Sequence, residues 1–343
     1  MSEFHVQVTT IKNVQKHPNA DTLSVAELNG YPVIIKTGDF NEGDLAVHIP
    51  IDSIVPDTPE WAFLNGHLRI KAKKLRGIFS MGLAIKPQPG WKKGQNVQKE
   101  LNILKYEPVT NLTAPKPPKV WWRRWLWKIK KFFGLIPNEG QNEKDPGFIP
   151  VYTDIEGYRK FPNILQEGEE VVLTEKLHGA AYRVTFSQNR LWVGSHRMIK
   201  RKSKNNKWWK PALDLNLEEK LKNFPDLVLY GEMYGDVQDL KYGKTGLNLA
   251  LYDAFDIRQR RYLDYDDFKS LANKLELETV PELYRGPWKK ELLDLAEGKT
   301  TFKGADHVRE GFVVKPVKER WDTTIGRVIL KMVGQGYLLR KEA

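Results

Sequence analysis

The chain has 343 residues, 41% hydrophobic and 29% charged, with 55 Lys and Arg against 43 Asp and Glu, a net charge of +12. That mixture supports folded cores and excludes wholesale disorder, and the length favours two domains over one. Cysteine is absent, which excludes disulfides, thiolate metal centres and cysteine nucleophiles, and the basic excess directs attention to polyanions, either nucleic acid or an anionic membrane surface. No uncharged apolar run reaches the roughly 18–20 residues of a membrane-spanning helix. The opening MSEFHVQVTT lacks the basic-then-apolar layout of a signal peptide. A cytoplasmic or nucleoplasmic protein, not a secreted one, is expected.

Residues 1–105 read as short strands at Phe4–Thr10, Thr22–Leu28, Tyr31–Lys36, Asp44–Ile49 and Gly82–Ile85. They are broken by turn residues at His17-Pro18-Asn19-Ala20-Asp21, Asn29-Gly30 and Asn41-Glu42-Gly43. Strands of this length and spacing predict a small antiparallel barrel. Residues 106–150 form a connector interrupted by prolines, among them Pro115, Pro117, Pro118, Pro137, Pro146 and Pro150. Half of the net charge sits here, because residues 106–135 hold seven Lys or Arg and one acid. Within it, Val120–Phe133 places Trp121, Trp122, Trp125, Leu126, Ile129, Phe132 and Phe133 on one helical arc, with Arg and Lys on the remainder and Trp127 as the exception. This predicts a basic amphipathic helix that packs between domains, touches nucleic acid or lies on a membrane surface.

Residues 151–343 alternate strand and helix signals. Strands are expected at Glu169–Lys176, Ala181–Phe186, Leu191–Gly194, Leu227–Glu232, Ala250–Ile257, Gly311–Pro316 and Val328–Val333. Helices are expected at Leu217–Phe224, Tyr265–Leu275 and Trp288–Ala296. The pattern is α+β around mainly antiparallel strands.

Chemistry concentrates at Val171–Ala180, VVLTEKLHGA. An apolar strand ends at Lys176, and Gly179 lets the backbone turn tightly. A lysine there acts as a nucleophile only when its amine is neutral, which calls for nearby cations or desolvation. His178 orients the loop, contacts a metal or nucleotide, or satisfies a carbonyl, and the sequence leaves these open. Downstream, in order, stand Ser195-His196-Arg197, Tyr230-Gly231-Glu232-Met233-Tyr234-Gly235, Phe255-Asp256-Ile257, Glu310-Gly311-Phe312-Val313-Val314-Lys315 and Val328-Ile329-Leu330-Lys331-Met332-Val333. Gly243-Lys244-Thr245 looks like the end of a phosphate-binding P-loop, but Gln238 stands where that motif requires glycine. The histidines show no ligand spacing, and no zinc site is expected.

This ordered set resembles the motifs of covalent nucleotidyltransferases, the ATP-dependent polynucleotide ligases and mRNA capping enzymes, across residues 171–333. The resemblance implies a mixed, mainly antiparallel, ATP-grasp-like ligase domain over 151–343, with ATP and Mg²⁺ or Mn²⁺ as cofactors. It implies that Lys176 attacks the α-phosphorus to give lysyl-AMP, and that Glu232 and Glu310 stand around ribose and metal. Glu175, Arg197, Phe255, Lys315 and Lys331 join the nucleotide site, with Phe255 stacking on adenine. Lys315 and Lys331 neutralise phosphate and depress the pKa of Lys176. Which lysine role of the last motif Lys331 fills is open, since Met332 and Val333 follow it.

Residues 17–23, HPNADTL, and 74–83, KLRGIFSMGL, resemble the OB-fold tRNA-binding domain of some aminoacyl-tRNA synthetases. Arg69, Lys71, Lys73, Lys74 and Arg76 form its basic edge, suited to nucleic-acid phosphates. An OB-fold β-barrel over 1–105 in front of the catalytic domain resembles a family of RNA ligases with that arrangement. It implies a monomeric ATP-dependent RNA ligase that seals 3′-OH and 5′-phosphate ends of RNA at nicks in duplexes. A DNA ligase or GTP-using capping enzyme is the alternative within the superfamily, and a non-catalytic RNA-binding or membrane-surface protein the alternative outside it.

Overall fold

A computed structural model describes residues 4–107, 125, 126, 129 and 142–340. The chain divides into two compact units, one of Met1–Pro108, Asp154–Ile164 and Leu330–Lys341, the other of Val109–Thr153, Leu165–Ile329 and Glu342–Ala343. The division differs from contiguous boundaries at 105 and 150 because two later segments join the N-terminal unit. The expected helix at 120–133 lies largely outside the described residues. Trp125, Leu126 and Ile129 are helical, and Trp125 and Leu126 are exposed.

In the N-terminal unit the strands are β1 (Gln7–Thr10), β2 (Lys12–Lys16), β3 (Leu23–Leu28), β4 (Tyr31–Lys36), β5 (Leu45–Ile49), β6 (Lys73–Leu75), β7 (Ile78–Ser80) and β8 (Leu83–Ile85). β5 lies between β1 and β8, β3 lies between β2 and β4, and β6 pairs with β7, all antiparallel. Asn29 and Gly30 both take positive φ, 52° and 81°, the two-residue turn that matches the twist of a hairpin. A side chain at Gly30 would also collide with the carbonyl of Arg159, 2.1 Å from the Cβ position. Alternation along β1 and β5 turns Val8, Val47 and Ile49 into a core with Val55, Trp61 and Val97. The strand Leu330–Val333 belongs to this unit, where it pairs in parallel with Glu156–Gly157 and Lys331 stands opposite Gly157.

The second unit contains β9 (Glu170–Glu175), β10 (Ala180–Ser187), β11 (Arg190–Ser195), β12 (Leu227–Gly235), β13 (Leu247–Asp256), β14 (Glu282–Pro287) and β15 (Gly311–Pro316). β11, β10, β12 and β13 are successive neighbours in an antiparallel sheet, and β9 pairs antiparallel with both β14 and β15. One face of the larger sheet carries Tyr182, Val184, Leu229, Met233 and Leu251. It is covered by Trp208, Trp209, Leu217 and Leu221 and by helix α1 (Tyr265–Lys274). In α1 the apolar residues Tyr265, Phe268, Leu271 and Ala272 recur at helical spacing and are buried. The architecture is α+β with mostly antiparallel strands, as the residue pattern predicts. β14 and the β6–β7 hairpin were not foreseen, and the expected helix at 288–296 is a 3₁₀ helix at Lys290–Ala296.

Candidate active site

Lys176 follows the last residue of β9, and its backbone N–H donates to the Gly311 carbonyl at 3.0 Å. The nucleophile's backbone is thus tied to the start of β15. Glu310 immediately precedes that strand, and its Oε1 accepts from Lys176 Nζ at 2.5 Å. Glu232 joins them from β12, directly opposite Ala181 on β10. The Lys-Leu-His-Gly turn that links β9 to β10 lies tight against β12. A Cβ at Gly179 would stand 2.2 Å from the Met233 carbonyl oxygen, so only glycine permits this approach.

Burial disfavours the charged amine of Lys176, but the carboxylates of Glu310 and Glu232 outweigh it and hold its pKa above the usual value. Burial pushes Glu232 up to about 8, with Lys176 opposing the shift and Glu310 reinforcing it. The sequence reading expected cations to depress the lysine, and this is corrected: the groups that reach it are acids. Lys315 stands opposite Val172, four residues along β15 from Gly311, or about 13 Å away at strand rise.

The loop after β12 grips the turn at three points, and of the residues that make them only Gln238 is named from sequence, in excluding a P-loop. Tyr242 Oη, fully buried, accepts the backbone N–H of His178 at 2.6 Å. Asp239 Oδ1 pairs with His178 Nε2 at 2.7 Å, and the Gln238 amide donates to the Gly179 carbonyl. His178 Nδ1 lies 3.8 Å from Glu310 Oε2, so the imidazole stands between two carboxylates. Of the roles open to His178, contact with a backbone carbonyl is not the one these distances favour. Gly243-Lys244-Thr245 ends this loop, with Lys244 and Thr245 exposed.

Glu310 Oε2 is buried and makes no hydrogen bond. Among the described residues no group of three or more His, Asp or Glu side chains is arranged to hold a metal. A hard divalent cation that keeps several waters and phosphate oxygens needs only one or two carboxylates, and Glu232 and Glu310, with one unused buried oxygen, fit that requirement.

The other expected nucleotide residues are placed differently. The Glu175 carboxylate is buried and taken up by Thr300 Oγ1 at 2.5 Å and by the backbone N–H and Oγ1 of Thr301 at 2.8 and 2.6 Å. It fixes that loop, because a buried carboxylate must find donors. Arg197 is exposed in the turn after β11. Phe255 is half-buried with its ring edge-on to Tyr262 at 5.0 Å. It pairs with Val228, four residues and about 13 Å along β12 from Glu232. Tyr252, at the bulge where the β12–β13 register shifts, is the nearer aromatic side chain. Burial raises its hydroxyl pKa and the charge of Glu232 adds to the shift. A bulge leaves no trace in strand alternation, which is why Tyr252 escaped the sequence reading.

Lys315 does not present a spare charge. Its ammonium lies 3.0 Å from Asp253 Oδ1 and 2.9 Å from Glu319 Oε1. Arg327 bonds the same two acids, through Nη2 to Asp253 Oδ2 at 2.5 Å and through Nε to Glu319 Oε2 at 2.7 Å. Tyr152 Oη donates to Asp253 Oδ2 at 2.8 Å. Burial favours protonated Asp253, but Arg327 and Lys315 outweigh it and lower its pKa.

In the N-terminal unit, Lys71, Lys73, Lys74 and Arg76 are exposed. Arg69 is engaged instead, by Asp52 Oδ1 at 2.7 Å and by the Tyr106 ring 3.4 Å beneath it. The two motifs of this region meet: Asn19 Nδ2 donates to the Arg76 carbonyl at 3.0 Å, and His17 Nε2 stands 3.2 Å from the Leu75 carbonyl.

Residues 169–333 match the RNA ligase family and residues 5–87 an OB-fold domain family. Among solved structures, Naegleria gruberi RNA ligase with pyrophosphate aligns at TM-score 0.79 and 24% identity, covering 98% of each chain. Variants of that ligase with ATP and Mn and with AMP and Mn each align at TM-score 0.80 and 22% identity, again over 98% of both chains. At such identities the likeness establishes a shared fold. Sequence comparison with curated proteins found no match.

Proposed function

With residues 169–333 a domain of the RNA ligase family and residues 5–87 an OB-fold domain, we propose that the chain is an ATP-dependent RNA ligase. It seals a 3′-OH to a 5′-phosphate, at nicks whose 3′-OH strand is RNA. The observation that carries this reading is the lysine between two carboxylates at a strand end, with a 2.5 Å contact to Glu310. In the first step the Lys176 nitrogen bonds the α-phosphorus of ATP as the bond to pyrophosphate breaks. Glu310, already hydrogen-bonded to the ammonium, is the group placed to take its proton. AMP then passes to the RNA 5′-phosphate, and attack by the 3′-OH releases it.

Glu232 and Glu310 would hold Mg²⁺ or Mn²⁺, which when bound supplies positive charge that weakens the hold of both acids on the lysine proton. Tyr252 is the side chain we assign to the base, in preference to Phe255. Asp239, Gln238 and Tyr242 position the nucleophile turn. Lys315 serves the scaffold, Arg197 and Lys331 remain candidates for phosphate, and the 71–76 edge is a candidate for RNA. Intact mass after incubation with ATP and Mg²⁺ tests the first step. Wild type gains one AMP and Lys176→Ala gains none; a gain with GTP alone would replace this reading with a capping-type transferase.

A further inference from the structure

The segment that follows β11 is a concentration of charge of which the steps above use only Arg197, as a candidate for phosphate. Residues 197–207 contain Arg197, Lys200, Arg201, Lys202, Lys204 and Lys207 and no acid. Lys202 is tied to Glu218 at 2.7 Å. Two other acids of the surroundings are committed elsewhere, Glu143 to Arg190 and Asp214 to Lys210, each at 2.7 Å. Arg197, Arg201, Lys204 and Lys207 are exposed.

The backbone that carries these cations is anchored. Trp209 Nε1 donates to the Lys200 carbonyl at 2.8 Å. Asn206 Nδ2 donates to the Arg201 carbonyl at 2.9 Å, and Asn206 Oδ1 accepts from the N–H of Trp208 at 3.2 Å. Both indoles are buried in the core of the second unit. A run of like charges repels itself, and here the carbonyls of Lys200 and Arg201 accept from Trp209 and Asn206, so the backbone that carries the cations is held in place. The run also begins beside the lysine pocket. Ser195 pairs with Tyr182 and Tyr182 with Gly231, which sets the start of the segment two strand spacings, about 10 Å, from the residue before Glu232. From there it turns back along β11, with Ile199 opposite Gly194.

We infer that residues 197–207 are a track for the phosphodiester backbone of the RNA, leading to the Lys176 pocket; this rests on the ligase reading. An anionic membrane is the weaker fit, because surface helices and loops that bind bilayers insert apolar side chains. Here Trp208 and Trp209 are buried, leaving Met198 as the exposed large apolar residue of the segment. Phosphate contacts made by cations on an anchored backbone position a strand without reading its sequence.

The test uses the full chain and the triple variant Arg201→Ala, Lys204→Ala, Lys207→Ala. Binding of a single-stranded RNA oligonucleotide is followed by fluorescence anisotropy across a salt series. Each lost phosphate contact lowers the log–log salt slope by about 0.7, so the variant's slope is expected to fall by about 2. AMP loading without RNA should remain at the wild-type rate. An unchanged slope and affinity overturns the track. Unchanged RNA binding with lost binding to phosphatidylserine vesicles overturns it in favour of a membrane surface. A variant that loses RNA affinity while even wild type takes up no AMP supports the track and refutes the ligase reading.

Discussion

Two ionic clusters in the second unit are built from the same side-chain types and behave as opposites. Around Asp253 and Glu319, two cations, Lys315 and Arg327, balance two acids, with Tyr152 as a further donor. Around Lys176, one cation faces two acids, and a buried carboxylate oxygen has no hydrogen-bond partner. A balanced buried cluster has nothing left to offer a ligand, and removing one member strands the others. The other keeps a buried carboxylate oxygen unbonded and an acid held protonated by burial, whose proton a bound cation would displace, and perturbed acids in such a setting mark function. The difference separates scaffold from site where residue type cannot, since each cluster contains a lysine on or beside β9 or β15.

The comparison breaks most severely at Asp253. Asp253→Asn leaves Lys315 and Arg327 with the single carboxylate of Glu319 between them, one buried charge uncompensated, and denaturant unfolding should record a loss of about 3–5 kcal/mol. Little change in the unfolding midpoint would show that the cluster is not scaffold. At the other cluster, Glu310→Gln should lower the rate of AMP loading about 10²-fold or more while stability holds. Single-turnover loading and a thermal melt on the same preparation check both halves, and a variant that loads normally removes Glu310 from the chemistry.

The smallest expected effect sharpens the contrast through pH. Glu232 has a folded-state pKa of about 8 against an ordinary 4.5. Between these values the folded protein holds a proton that the unfolded chain releases, so stability falls as pH rises through the window. Glu232→Gln removes that fall. Its melting temperature above pH 8 should exceed wild type by about 1–2 °C, on the order of 1 kcal/mol once solvent screening of a half-buried group is allowed for. At pH 4 the two melts should converge, and a variant less stable than wild type at high pH would show that Glu232 is not strained.

Much of this was legible in the residues themselves. Alternation and turn chemistry placed β3 and β4 within a residue of their observed limits, because period-2 burial and an Asn-Gly turn are local constraints. Lys176, Glu232 and Glu310 were recognised from ordered motifs at strand ends, and the structure brings those three together. Lys315 and Phe255 carry the same kind of signal but stand about 13 Å along their strands from the pocket.

What the tertiary structure alone decided was who faces whom. Glu175 meets Thr300 and Thr301, 125 and 126 residues away; Lys315 meets Asp253, 62 residues away; and His178 meets Asp239, 61 residues away. The β12–β13 bulge shifts the register by one and brings Asp253 opposite Tyr230. Backbone preference and burial period act over a few residues and are written into the sequence. The partner of a charge depends on strand register across many tens of residues, where a shift of one position exchanges the faces of a sheet.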